Sequence, residues 1–238
     1  MIHNATLMGQ RVNSITPSIS LDITCPDKFD HELDRMKFLM RSHYGNDIGL
    51  WLSALDLYDQ GITAHTLRVT ARSLVLGRFM GLSDADLSHL QYGTVLHDIG
   101  KLGIPEKIIQ KPGKLTSEEY EVVKEHPVYA FNWLKRCSEH LPARVIPLYH
   151  HERWDGKGYP QGLSGENIPL LARIVAVVDV YDAVTSDRVY CRAISNDKAM
   201  TLIQSESGQQ FDPGVVKAFS KLGVGGITKV CVADALIV

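Results

Sequence analysis

The sequence has few cysteines, almost no net charge and no long apolar run. Its four cysteines, Cys25, Cys137, Cys191 and Cys231, contain no C-x-x-C pair. That excludes a zinc knuckle and an evident disulfide framework and leaves free thiols as the expectation. Lys+Arg total 25 and Asp+Glu 27, a formal net charge of −2. So near a balance argues against a nucleic-acid polymer as obligatory partner, although a small basic pocket is compatible with it. The longest apolar stretches, such as 174–178, fall far short of a membrane span, and Asp179 interrupts that run. The opening run MIHNATLMGQRVNSITPS has neither the basic start nor the apolar stretch of a signal peptide. The expectation is a cytoplasmic protein with no membrane association. Repeats and low-complexity segments are missing too. Alternating strand patterns are confined to the two termini.

What is present is a helical protein. At 238 residues the chain is one to two domains long, and 45% hydrophobic residues suffice for a sizeable core. Residues 1–26 lack helical periodicity, whereas 27–42, 47–58 and 63–80 space their apolar residues as helices do. Gly81 stops the third of these, and Ser83 offers an N-cap for a helix reaching about residue 98. The Gly- and Pro-punctuated stretch 100–113 reads as mostly loop. Thr116 and Glu119 have capping-box spacing, and Pro127 suits the first turn of a helix with His126 at its N-terminus. A helical run over 141–151 is broken by Pro147, and 153–169, with four glycines and two prolines, is a long structured loop. Residues 170–187 are apolar on nearly every face and predict the central buried helix; Ser195 caps another, and 212–222 forms the next. Residues 227–238 are an apolar tail, of which 229–238 (KVCVADALIV) is apolar enough to pack on the domain or on a second subunit. The fold class is all-α.

Histidines and aspartates fall in a suggestive series along these helices. His97 and Asp98 end one, His126 begins one, His150 and His151 end one, His65 lies early in one, and Asp179 interrupts the most apolar. A lone histidine is more often a surface or satisfied core residue, but accumulation weakens that reading. Asp179 lies in IVAVVDV (174–180), where a carboxylate is costly unless a cation or donors surround it. It either pairs with an arginine such as Arg173 or Arg153, or ligates a metal. Imidazole plus carboxylate without thiolate suits a first-row ion. Asp98 is the natural bridging carboxylate for two ions about 3.5–4 Å apart. Lys101, in HDIGK, is either a surface lysine or a cation for a nonbridging phosphate oxygen, and Gly100 and Gly103 would let its loop approach a ligand closely. Trp154 could line the site, while Trp51 and Trp133 suit the core.

HDIGK at 97–101 resembles the signature of HD-domain metal-dependent phosphohydrolases, and HHERWDGKGYP at 150–160 resembles that of the HD-GYP subfamily, bacterial phosphodiesterases of cyclic di-GMP. His126-Pro127, ARIVAVVDVYDA (172–183), TSDR (185–188) and FDP (211–213) extend the likeness to about 47–223, roughly three quarters of the chain. The resemblance implies a helical HD-GYP bundle around a buried centre of iron or manganese ions. Its ligands would be His65, His97, Asp98, His126, His150, His151 and Asp179, with Asp98 bridging. Asp98 and Lys101 would carry the catalysis, and Lys101, Arg188 and Tyr159 would meet the substrate. Metal hydroxide would open cyclic di-GMP to linear pGpG, continuing in many members to GMP. The loop Gly158-Tyr159-Pro160 is associated with docking diguanylate cyclases.

Two departures bear on this. Gly61 stands where many members carry a glutamate that helps hold a third metal, with Asp56 and Asp59 nearby at different spacing, so two ions are expected. Cys191 stands where a phosphate-binding cation is usual, with Arg192 directly after it. These departures motivate an alternative, a weak or inactive regulatory module acting through the GYP loop. A hydrolase of another cyclic dinucleotide is a third reading. On this basis residues 1–46 form an N-terminal extension without a complete sensor domain, 47–223 the HD-GYP domain and 224–238 an apolar tail that a homodimer could use.

Overall fold

The computed structural model describes residues 20–22, 54–55, 61–135, 142–186 and 192–231. The helix expected at 27–42, nearly all of that at 47–58, Asp56, Asp59, Trp51, Arg188 and Cys191 lie outside these residues.

Helices dominate, and their starts follow local chemistry. Helix α1 (Ile62–Phe79) is followed by α2 (Asp84–Val95), where the Asp86 N–H donates to the Ser83 hydroxyl at 3.2 Å. A 3-10 turn (Ile99–Gly103) and α3 (Glu106–Ile109) occupy the stretch expected to be mostly loop. Pro105 does not prevent this, because a proline before the first turn removes no helical hydrogen bond. The capping box opens α4 (Ser117–Val123): the Glu119 N–H donates to Thr116 Oγ1 at 3.3 Å and the Thr116 N–H to Glu119 Oε2 at 2.8 Å. Pro127 lies in the first turn of α5 (His126–Leu134), as its sequence predicts.

Pro147 does not break a helix. It sits in the first turn of α6 (Val145–Tyr149), where a missing N–H has no carbonyl to serve. Beyond the long loop come α7 (Leu170–Thr185), α8 (Asn196–Ser205, capped by Ser195) and α9 (Pro213–Thr228). The helical path of α9 is interrupted at Gly223 (φ 66°, ψ 172°), where the sequence predicts an end after 222, and a second short helical stretch follows to Thr228. Strands β1 (Ser20–Asp22) and β2 (Lys229–Cys231) pair antiparallel with Leu21 opposite Val230, a short ribbon on an otherwise all-α fold.

Helix α7 is the buried centre, packed against α1, α6, α8 and α9. Ile174, Val175, Val177, Val178 and Tyr181 meet Leu74, Leu76, Leu90, Ile146 and Phe219 in the main core. A second apolar cluster, including Leu67, Val95, Leu96, Ile99, Ala130 and Leu134, surrounds the end of α2 and the start of α5. These two cores hold the helix ends that carry the histidines.

Candidate metal centre

The histidines come from four helices and converge because each sits at or near a helix end turned inward. His97 and Asp98 follow α2, His126 opens α5, His150 and His151 follow α6, and His65 lies in the first turn of α1. The close packing of the α2 end on α5 depends on Gly100, where an added Cβ would stand 1.8 Å from the His126 carbonyl oxygen. Gly103 likewise faces the Tyr129 ring. The two glycines therefore bring the turn against α5, not against a ligand as expected from sequence.

The potential ligand atoms of Asp98, His126, His150 and His151 all lie within 4.8 Å of one another, and so do those of His65, His97 and Asp98. Asp98 belongs to both groups. Three of these imidazoles are oriented through Nδ1. His97 Nδ1 donates to the Thr94 carbonyl at 2.7 Å, His126 Nδ1 to that of Val123 at 2.7 Å, and His150 Nδ1 to that of Pro147 at 3.0 Å. This fixes the tautomer and leaves the Nε2 lone pairs pointing into the cluster. Nε2 of His97, His126 and His150, and Oδ1 of Asp98, are buried without a hydrogen-bond partner. Such atoms carry a desolvation cost that a bound cation removes. The donor set fits divalent first-row ions.

Electrostatics agree with that fit. Burial depresses the His126 pKa to about 3 and that of His151 to about 4, and it drives His150 down as well. These rings are neutral near pH 7, the form that ligates. Burial would raise the Asp98 pKa, but Lys101 and the imidazoles of His97, His126 and His150 hold it well below the usual carboxylate range.

His65 differs. Its Nε2 lies 3.0 Å from Asp179 Oδ1 and its Nδ1 2.7 Å from Asp182 Oδ2. Burial would lower its pKa, but hydrogen bonds to both carboxylates raise it to about 9. Asp179 thus points into the site, against His65. The arginines considered as its partners are engaged elsewhere, Arg173 with Asp212 at 2.5 Å and Arg153 with Asp155 at 3.0 Å. The carboxylate that does pair with arginine is one turn further on. Asp182 receives Arg68 Nε at 2.7 Å and Arg68 Nη2 at 2.8 Å, together with Arg72 Nη1. The spacing of His65, Arg68 and Arg72 puts them on one stripe of α1 facing Asp182. Sequence reasoning passed over Asp182; its position three residues after Asp179, on the same face of α7, was the available signal.

Lys101 Nζ lies 2.5 Å from Asp98 Oδ2, at the edge of the cluster. The GYP loop reaches the same edge. The Tyr159 N–H donates to the His151 carbonyl at 3.2 Å, and the Tyr159 ring stacks on His151 with centroids 4.9 Å apart. Gly158 permits this fold-back, since a Cβ there would stand 2.4 Å from the Arg153 nitrogen. Buried Glu152, which sequence reasoning left unassigned, accepts the Gln161 N–H at 2.7 Å and the Leu163 N–H at 3.1 Å, fastening the far limb of the loop. The Arg173 guanidinium lies over the Trp154 ring, 5.7 Å from its centroid.

A family model described as HD domain matches residues 51–215. The chain belongs to the HD-domain family. Its run 150–160 agrees with the HD-GYP branch of that family. It is 44% identical over 184 residues to a cyclic di-GMP phosphodiesterase of Vibrio cholerae, covering 71% of this chain and 37% of that protein. It is 41% identical over 226 residues to a cyclic di-GMP phosphodiesterase of Pseudomonas aeruginosa, covering 92% of this chain and 54% of that protein. The chain thus spans about half the length, or less, of these curated relatives. The crystal structure of a cyclic GMP-AMP specific phosphodiesterase from V. cholerae shares the fold, with a TM-score of 0.58 and 18% identity over 78% of this chain and 51% of that one.

Proposed function

We propose that this chain is a metal-dependent phosphodiesterase that hydrolyses cyclic di-GMP to linear pGpG, to GMP, or to both. The observation that carries this reading is the set of buried, unpartnered Nε2 and carboxylate atoms gathered around Asp98. Two transition-metal ions, iron or manganese, would be held by His65, His97, Asp98, His126, His150, His151 and Asp179, with Asp98 common to both. When bound, such ions supply Lewis acidity toward a phosphoryl oxygen and toward water. The protein's own part is to orient and to neutralise charge. Lys101, already paired with Asp98, is placed to turn its ammonium to a nonbridging phosphate oxygen. Tyr159 walls the site beside His151, and Arg188 would add a second cation for phosphate. Loss of the His65 Nε2 proton frees that nitrogen and Asp179 together for ligation. Gly61 supports two ions over three, because its φ of 107° would strain a glutamate there.

The same reading makes 47–223 the catalytic domain, 1–46 an extension and 224–238 a tail. The protein's compartment on this reading is the cytoplasm. The exposed side of the GYP loop would receive a diguanylate cyclase or another signalling protein, and the tail would serve a homodimer.

Elemental analysis of protein purified without oxygen, followed by chromatography of products from cyclic di-GMP, tests the proposal. Two ions per chain and release of pGpG or GMP are expected. Metal-loaded protein that binds the cyclic compound and leaves it intact would make the chain a regulatory module. A larger kcat/KM for a different cyclic dinucleotide would reassign the substrate.

A further inference from the structure

A line of rings leads from the imidazole cluster to the surface. His151 stacks on Tyr159, and Tyr159 meets Tyr120 edge-on with centroids 6.5 Å apart. The Lys124 ammonium lies 5.5 Å from the Tyr120 centroid and 5.9 Å from that of Tyr159. Glu121, one turn earlier, holds it at 2.6 Å. Tyr120 is 48% exposed, at the rim of the site. The core does not require it: α4, which carries Tyr120, contains no buried residue. That helix is nonetheless firmly built, by its capping box and by Lys111 Nζ at 2.5 Å from Glu119 Oε2. A surface helix without a core face, fastened at its N-terminal end and presenting a tyrosine, with a lysine at its C-terminal end, beside the GYP loop, has the character of a ligand platform. The structure joins Tyr120 to the site.

We infer that Tyr120 and Lys124 bind a purine base of the nucleotide whose phosphodiester reaches the metal cluster, and that Lys124 favours guanine over adenine. This rests on the phosphodiesterase reading and names the base-recognition element it lacks. Any base presents a π-face to an exposed aromatic ring, so Tyr120 supplies affinity without much selectivity. An ammonium has three donors and no acceptor. Guanine offers it two adjacent acceptors, N7 and O6, whereas adenine sets an amino donor beside N7. Lys124 therefore supplies the discrimination.

Equilibrium binding to the metal-loaded full chain tests this, using hydrolysis-resistant phosphorothioate forms of cyclic di-GMP and cyclic di-AMP. Tyr120→Ala is expected to raise Kd for both by about 5- to 150-fold, the range for loss of one base stack. Tyr120→Phe keeps the ring and should stay within about twofold of the parent, a negligible free-energy change. Lys124→Met keeps the stem and should weaken only the guanine compound, bringing the two affinities together. Unchanged Kd in Tyr120→Ala, equal losses in the Ala and Phe variants, or unchanged selectivity in Lys124→Met would overturn the inference, as would a parent protein that binds neither compound. Turnover of cyclic di-GMP and of the base-free ester bis(p-nitrophenyl) phosphate by the parent separates the two readings. Binding that depends on Tyr120 without turnover of either removes the hydrolase and keeps the platform. Turnover with binding indifferent to Tyr120 does the reverse.

Discussion

Asp98 and Asp182 are both buried carboxylates among positive and imidazole groups, yet the protein treats them in opposite ways. Asp182 has both oxygens filled, by Arg68, Arg72 and His65, with Ser186 adding a weak contact at 3.4 Å. Asp98 has one oxygen on Lys101, and its other, Oδ1, has no donor although His126 Nε2 lies 3.5 Å and His150 Nε2 3.9 Å away. A satisfied buried ion is structure; a buried polar set left open all on one side is a binding site. The difference lies in what each carboxylate faces. Arginines fill Asp182's oxygens, whereas around Asp98 the imidazoles have spent their only proton on backbone carbonyls.

The comparison breaks most visibly at Asp98. Asp98→Asn keeps the shape and removes the charge shared by both ligand groups. Bound metal should drop and phosphodiesterase turnover fall more than about a hundredfold, beyond what a change outside the ligand set costs. Metal stoichiometry and turnover measured on the same preparation check this, and full metal content in the variant would sink the role given to Asp98. Asp182→Ala should act on stability first. Removing one member of a buried pair costs about 3–5 kcal/mol, here because Arg72 would lose its counter-charge. Denaturant unfolding of the metal-free protein reads the loss, and a change under about 1 kcal/mol would place Asp182 with ordinary surface pairs.

Proton linkage sharpens the contrast next. In the unfolded chain every histidine titrates near 6.5, whereas folded His126 and His151 titrate at about 3 and 4. Below pH 6.5 the unfolded state therefore takes up protons that the folded state refuses, and stability falls with acidification. His65 acts in the opposite sense: its folded pKa of about 9 stabilises the protein below pH 6.5 and that contribution disappears as pH rises through 9. The metal-free protein should be most stable near pH 6.5; bound metal, by keeping protons off the folded rings, should remove the alkaline decline due to His65 and steepen the acid one. Thermal melts from pH 4 to 10, with and without Mn²⁺, provide the measurement; a metal-free profile without decline on either side contradicts it.

Much of this was legible beforehand where local chemistry decides. Ser83, the Thr116–Glu119 box and Ser195 mark helix starts through bonds made within four residues, and Pro127 marks one through its fixed φ and missing N–H. The interruption of an apolar helix by Asp179 announces a buried charge needing a partner. What the sequence concealed was pairing across the chain. Which of Asp179 and Asp182 meets arginine depends on the rotation of α7 against α1, more than a hundred residues apart. Whether Gly100 faces a ligand or a carbonyl depends on the docking of α5. Nothing local to Tyr120 shows that the GYP loop folds back beside it.

Glu152 is a third buried carboxylate and gives the smallest effect. Like Asp182 it is filled, but by two backbone N–H groups of the GYP loop in place of arginines. Glu152→Gln keeps one acceptor and turns an amino group toward the other N–H, donor against donor. The local cost is about 1–3 kcal/mol, that of a buried donor left without an acceptor. Amide exchange at Gln161 or Leu163 should therefore accelerate while global stability and metal content change little. Because Tyr159 is carried on the loop so fastened, KM for the nucleotide should rise a few-fold with metal content held. If instead metal is lost with Glu152→Gln, the loop and the ligand set are one cooperative unit, and the division between a filled carboxylate that positions and an open one that binds fails at this residue.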